Sequence, residues 1–220
     1  MSPCVKCGGG CRIEGKAVCC KRCEVKVEGK TRYESMYLWN CLNPRKHPDQ
    51  RVKEEFFAQD EKEFEFLLSF VKGKSLLEIG SRYGESLKRQ ARKLPVGSRI
   101  VSLDLGQDPY SPYVDTQSYR TKACKELSEE YEVHMLTGDS HDPGIVETVR
   151  KLSPFDFIFI DGDHSLSGVT KDWTDYGPMG KTVAFHDING NNEMRDFWRD
   201  IPGNKKDCIN STMGIGIVFK

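Results

Sequence analysis

The chain has 220 residues, 37% hydrophobic and 30% charged, which suits a globular protein of one full domain plus a small appendage and excludes a disordered class. Lys+Arg and Asp+Glu both total 33, so the net charge is zero and no global field points to a nucleic-acid partner. The longest apolar runs, such as 155–160, are far too short to span a bilayer, and Met1-Ser2-Pro3-Cys4 has no apolar core of a secretory signal, so no membrane partner and a cytoplasmic location are expected.

Six of the nine cysteines fall within the first 23 residues: Cys4, Cys7, Cys11, Cys19, Cys20 and Cys23. Without an export signal, such density favours metal ligation over disulfides. Cys4-x2-Cys7 and Cys20-x2-Cys23 form two knuckles whose spacing suits a tetrahedral thiolate site for structural Zn²⁺, and so small a segment has no core to fold without one. Cys19 could replace Cys20 in that set, Cys11 is surplus, and an iron–sulfur cluster is a lesser alternative. Lys16, Lys21, Arg22, Lys26, Lys30 and Arg32 make this segment basic, which permits a nucleic-acid partner; a solvated face on a structural knuckle is the blander reading. The run Asn43-Pro44-Arg45-Lys46-His47-Pro48-Asp49 reads as a linker. We therefore expect a cysteine-rich zinc-binding module and linker over residues 1–45 and a second domain over 46–220.

Beyond the linker, strand and helix patterns alternate. Apolar spacing predicts a helix within 52–71, a buried strand at 75–79, a helix at 85–94 and a strand at 99–103 ending on Asp104. A helix at 117–130, a strand at 133–136 and a helix at 143–152 follow. Residues 155–160 are the strongest strand signal, apolar apart from Asp156. A helix at 165–176, a strand at 182–185, a helix at 192–200 and a strand at 214–219 complete the series. Such alternation indicates an α/β fold with a parallel sheet covered on both faces, in which ligands bind beyond the carboxyl ends of the strands. Polar groups fall at those ends: Gly80, Asp104, Asp139, Asp161 and the pair His186-Asp187.

Glu78-Ile79-Gly80-Ser81-Arg82-Tyr83-Gly84 is a strand entering a glycine turn and then a helix, where backbone can approach a ligand and free N–H groups are available. It lacks the middle glycine of the dinucleotide fingerprint, so alone it is equally an ordinary tight turn. Asp104 is placed to accept hydrogen bonds from ribose hydroxyls, and Gly138-Asp139-Ser140 could meet an adenine amino group.

The order Leu-Glu-Ile-Gly-x-x-x-Gly, Ser-Leu-Asp, Gly-Asp-Ser, Phe-Ile-Asp-Gly-Asp-His-Ser and Phe-His-Asp-Ile resembles class I methyltransferases, nearest to the metal-dependent sugar O-methyltransferases acting on macrolides and aminocoumarins. The resemblance spans roughly 64–220. It implies a Rossmann-like seven-stranded sheet with an antiparallel last strand, binding S-adenosylmethionine through Glu78, Gly80, Ser81, Gly84, Asp104, Asp139, Ser140 and Asp161. By the same resemblance Asp161 and Asp187 match metal ligands, and His186 stands where those enzymes usually carry a carboxylate. His164 matches the general base of the macrolide branch and Asp163 that of the aminocoumarin branch. Carboxylates with one imidazole suit Mg²⁺ or another hard divalent ion, which would lower the pKa of a substrate hydroxyl for His164 or Asp163 to deprotonate.

The expected function is thus O-methylation of a hydroxylated, sugar-like small molecule assisted by a divalent metal. The rivals are a methyltransferase whose nucleic-acid or protein substrate is recruited by the zinc module, and a catalytically silent interaction protein anchored by zinc. His134 and His141 have no comparable context and read as a strand and a loop residue.

Overall fold

A computed structural model describes residues 59–107 and 115–220, together with the backbone of short strands that precede them. The chain divides into two compact units, Met1–Phe57 with Asp108–Val114, and Ala58–Gln107 with Asp115–Lys220. In the first, β1 (Ser2–Pro3), β2 (Gly10–Glu14), β3 (Ala17–Cys20) and β4 (Lys26–Glu28) pair antiparallel in that order. Their register places Cys11 opposite Cys20 and Arg12 opposite Cys19. Of the expected zinc ligands, Cys4, Cys7 and Cys23 lie outside the described residues, and Cys20 enters as backbone only. The linker at 43–49 also lies outside them.

The second unit begins with α1 (Glu61–Leu68), capped by Asp60, whose carboxylate accepts the N–H groups of Lys62 and Glu63. There follow β5 (Ser75–Ile79), α2 (Glu85–Ala91), β6 (Arg99–Asp104), α3 (Thr116–Leu127), β7 (Glu132–Thr137), α4 (Pro143–Lys151), β8 (Phe155–Ile160), α5 (Leu166–Tyr176), β9 (Gly180–His186), α6 (Asn192–Asp200), β10 (Asn204–Cys208) and β11 (Ile215–Phe219). The helices start where local chemistry directs them. Asp142 caps α4 ahead of Pro143, Ser165 caps α5, and Asn191 caps α6.

The seven strands lie in the order β10-β11-β9-β8-β5-β6-β7, with β5 to β9 parallel and the last two antiparallel. Because β5 and β8 are neighbours yet far apart in sequence, strand order reverses between them, which opens a crevice at their carboxyl ends. All of β5 is buried, as a strand with helices on both faces must be. On one face Leu77, Val101, Ile158, Val183 and Phe185 pack with Val149, Val169, Tyr176 and Phe197 of α4, α5 and α6. The alternate residues Leu76, Ile100, Phe157 and Ala184 are buried as well, and α1, α2 and α3 contribute buried Phe64, Leu67, Leu87 and Ala123.

The seventh strand, β10, is the one that periodicity did not reveal. Its Asn-Lys-Lys-Asp-Cys sequence is charged because it is an exposed edge, where lysines discourage pairing with a further chain. The turn leading from β10 to β11 is fastened to α1. Glu63, fully buried, accepts the backbone N–H groups of Asn210 (2.6 Å) and Gly214 (3.2 Å) and the hydroxyl of Ser211 (3.0 Å), while Asp60 accepts the Asn210 amide at 3.1 Å. Among the described residues no helix is long and apolar enough to cross a membrane.

Candidate active site

Strand register sets the site. Ile79, Leu103, Leu136, Ile160 and Phe185 stand level across β5 to β9, so the next row is Gly80, Asp104, Thr137, Asp161 and His186. Four of the five strand-end groups read from the sequence therefore share or border one ledge; Asp139 lies two residues further out, in the loop after β7.

At the β5 end, Gly80 has φ +86, and a Cβ there would fall 2.1 Å from the Asp161 carbonyl oxygen, so only glycine lets the two strand exits close together. Gly84, φ +81, opens α2. Between them Arg82 takes φ +43 and donates its N–H to Asp104 Oδ2 at 2.8 Å, while Asp104 Oδ1 accepts the N–H of Gly106 at 2.8 Å. Asp104 thus fixes the glycine turn from the end of β6. Glu78 is buried and accepts the Ser86 hydroxyl, with Oε2 lacking a hydrogen-bond partner. Burial, reinforced by the charges of Asp161 and Asp104, pushes its carboxyl up to about 8, so it carries a proton at neutral pH. Ser81 is buried, its hydroxyl donating back to the Glu78 carbonyl.

At the β7 end, Asp139 is largely exposed and accepts the N–H of His141 at 2.8 Å. The Ser140 carbonyl accepts the Tyr176 hydroxyl at 2.6 Å, tying this loop to α5. His141 Nε2 lies 3.3 Å from Asp172 Oδ1, a fully buried carboxylate that burial pushes up to about 6. That pair was invisible in the sequence, since 31 residues separate its members and neither stands at a strand end.

At the β8 and β9 ends, two carboxylates and two imidazoles converge. His186, 8% exposed, places Nδ1 2.9 Å from Asp161 Oδ1 and 3.0 Å from Asp187 Oδ1. Burial alone would favour the neutral ring, but the two carboxylates outweigh it and raise the His186 pKa well above its ordinary value. Burial likewise works against the Asp187 charge, and the neighbouring imidazoles overcome it to hold that carboxyl below its usual range. Asp187 adopts φ +59, a left-handed conformation that a non-glycine residue rarely takes. Its Oδ2 lies 3.2 Å from His164 Nδ1. His164 Nε2 is 3.9 Å from Asp161 Oδ1, beyond hydrogen-bonding range, and the side chain is 35% exposed. Gln59, just before α1, donates Nε2 to Asp161 Oδ2 at 2.7 Å. It is a site residue that no motif signals.

Asp163 does not join this cluster. Its Oδ1 accepts the N–H of Ser165 at 2.8 Å, and its carboxyl fills the space above Gly168, where a Cβ would lie 2.1 Å from Cγ. It closes the turn into α5, whereas His164, next in sequence, faces Asp187. The divalent ion implied by the resemblance does not fit the arrangement. The gap between Asp161 and Asp187 that such an ion would bridge is filled by His186 Nδ1, and among the described residues no group of three His, Cys, Asp or Glu side chains is set to hold a metal ion.

A family profile described as a methyltransferase domain matches residues 77–188, half of the chain and the stretch from β5 through β9. Solved structures share the fold. An O-methyltransferase from Bacillus cereus in complex with SAH superposes with a TM-score of 0.54 at 20% identity, covering 87% of this chain and 92% of that one. The O-methyltransferase TomG from Streptomyces achromogenes, involved in tomaymycin synthesis and solved with SAM, gives 0.53 at 16% identity, covering 88% and 99%. A precorrin-6y C5,15-methyltransferase from Geobacter metallireducens gives 0.55 at 12% identity, covering 76% and 93%. No curated protein sequence matches the chain. With its reversed seven-strand order and the profile running through every parallel strand end, this chain belongs to the methyltransferase-domain family.

Proposed function

We propose that the protein is an S-adenosylmethionine-dependent O-methyltransferase acting on a hydroxylated small molecule, with His164 as general base. The observation that carries this reading is the placement of the His164 ring: Nδ1 lies 3.2 Å from Asp187 Oδ2, while Nε2 lies 3.9 Å from Asp161 Oδ1, beyond hydrogen-bonding range. The resemblance to sugar O-methyltransferases supports a polyhydroxylated acceptor.

The crevice fits the cofactor. Gly80 and Gly84 leave room where a side chain would intrude, the start of α2 offers free N–H groups, and Asp104 presents a carboxylate at the ribose position. The Gly138-Asp139-Ser140 loop would border the adenine. When bound, the cofactor supplies an electrophilic methyl group on a sulfonium that departs as a neutral thioether.

The chain's own residues prepare the acceptor. In the tautomer that places a proton on Nδ1 beside Asp187, His164 has its lone pair on Nε2 and can accept a proton there. A substrate hydroxyl hydrogen-bonded there loses its proton to Nε2 as its oxygen forms the new bond to carbon. Asp187 stabilises the imidazolium so formed without taking the proton, and general-base assistance of this kind is worth about 10²–10⁴ in rate. No step passes through a divalent ion.

Calorimetric titration of the full chain with S-adenosylhomocysteine tests the cofactor assignment, and absence of binding would end it. Release of S-adenosylhomocysteine in the presence of sugar-like alcohols, lost in His164→Gln, tests the reaction.

A further inference from the structure

We infer that His186 occupies the position of a divalent ion, bridging Asp161 and Asp187, and that a single carboxylate at this position would create a Mg²⁺ site which the natural chain lacks. The inference concerns the hydroxyl-activating cluster and rests on the proposed reaction for its catalytic meaning, though not for its test.

All four carboxylate oxygens of the cluster face nitrogen. Asp161 Oδ1 and Asp187 Oδ1 lie 2.9 and 3.0 Å from His186 Nδ1, Asp161 Oδ2 accepts the Gln59 amide at 2.7 Å, and Asp187 Oδ2 lies 3.2 Å from His164 Nδ1. Mg²⁺ needs near-octahedral oxygen ligands at about 2.0–2.1 Å and binds more tightly as anionic ligands accumulate. Here one ring nitrogen stands between the two oxygens that would have to close on the ion, and the position contributes no oxygen. His186 Nε2 and Asp187 Oδ1 are both buried without a hydrogen-bond partner, so the ring meets Asp187 by charge and proximity.

The ring also cannot swing aside cheaply. His186 is the last residue of β9, 8% exposed, with the Phe159 ring edge-on at 6.5 Å and the His164 ring at 6.4 Å. It is therefore a positioning residue. Its Nδ1 stands 3.0 Å from Asp187 Oδ1, while Asp187 Oδ2 lies 3.2 Å from His164 Nδ1. Asp187 itself sits at φ +59, a conformation rare for a residue other than glycine.

The experiment is calorimetric titration of Mg²⁺ into the full-length chain, treated with chelator and saturated with S-adenosylhomocysteine. Mg²⁺ is chosen because thiolate ligands such as the N-terminal cysteines do not compete for it. The natural chain is expected to give no binding. His186→Asp or His186→Glu is expected to bind with a dissociation constant on the order of 10⁻³ M or tighter, and adding Asp161→Asn is expected to abolish it. Mg²⁺ binding by the natural chain that Asp161→Asn removes would overturn the inference. So would silence from both carboxylate variants when cofactor binding and a cooperative thermal transition show them folded. Two replacements of different length guard against one failing to fold. If the natural chain instead fails to bind S-adenosylhomocysteine, the methyltransferase reading falls, and the Mg²⁺ titrations are repeated without it and still decide the bridge.

Discussion

The two halves of the ledge are built from different materials. At the ends of β5 and β6 the work is done by backbone: glycines at positive φ, and Asp104 spending both oxygens on main-chain N–H groups. At the ends of β8 and β9 it is done by side chains, two carboxylates and two imidazoles joined by nitrogen–oxygen contacts of 2.9, 3.0 and 3.2 Å. The first half can hold a ligand without reacting with it. The second can move a proton but has little shape of its own. Separate variants should therefore separate binding from rate.

The largest effect is expected for His164→Ala, which removes the proposed base and touches none of the glycine turn. Turnover should fall by about 10²–10⁴ while S-adenosylhomocysteine affinity, read by calorimetry, stays within a factor of two or so. Parallel losses in both would show that the halves are not independent. Gly80→Ala probes the other side. Its Cβ would meet the Asp161 carbonyl at 2.1 Å in a backbone conformation costing an L-residue about 1–2 kcal/mol by itself. Cofactor affinity and thermal stability should both drop sharply.

Asp104→Ala should be milder. It releases the N–H groups of Arg82 and Gly106, so the turn loosens and cofactor affinity falls by about tenfold, equivalent to about 1.4 kcal/mol. The smallest effect is a pH slope. Glu78 keeps its proton in the fold up to about 8, whereas the unfolded chain releases it near the ordinary value of 4.5. Between these pH values the native state binds more protons than the unfolded one, so stability declines as pH rises through the window. In the cofactor-free protein, Glu78→Gln should flatten that decline, giving a Tm advantage that grows from pH 5 to pH 8. A constant difference across the range would mean that Glu78 is ionised in the fold.

Much of the first half was legible in the sequence, because backbone geometry writes itself as glycine spacing and strand-terminal aspartate. Gly80, Gly84 and Asp104 fall where the pattern places them. The second half was legible as composition only. The sequence offered Asp161, Asp163, His164, His186 and Asp187 as one group, but which of them face each other depends on turn geometry. Asp163 folds onto Gly168 and His164 does not, a distinction of one residue that no periodicity carries. Gln59 and the His141–Asp172 pair were missed because their partners lie 102 and 31 residues away. The edge strand β10 was missed because a charged, exposed strand has no apolar alternation to detect.

The clasp of Glu63 on the turn after β10 has a kinetic consequence. It joins residues about 150 positions apart, so its closure must await nearly the whole domain, and loops of that length form late and slowly. Gln59 rides on the same helix start and reaches Asp161 across 102 residues. The proton-handling end should thus mature last, after the central strands have already zipped together. A chain shortened before residue 210 would retain the parallel strand ends in sequence yet lack β11 and the backbone groups that Glu63 clasps.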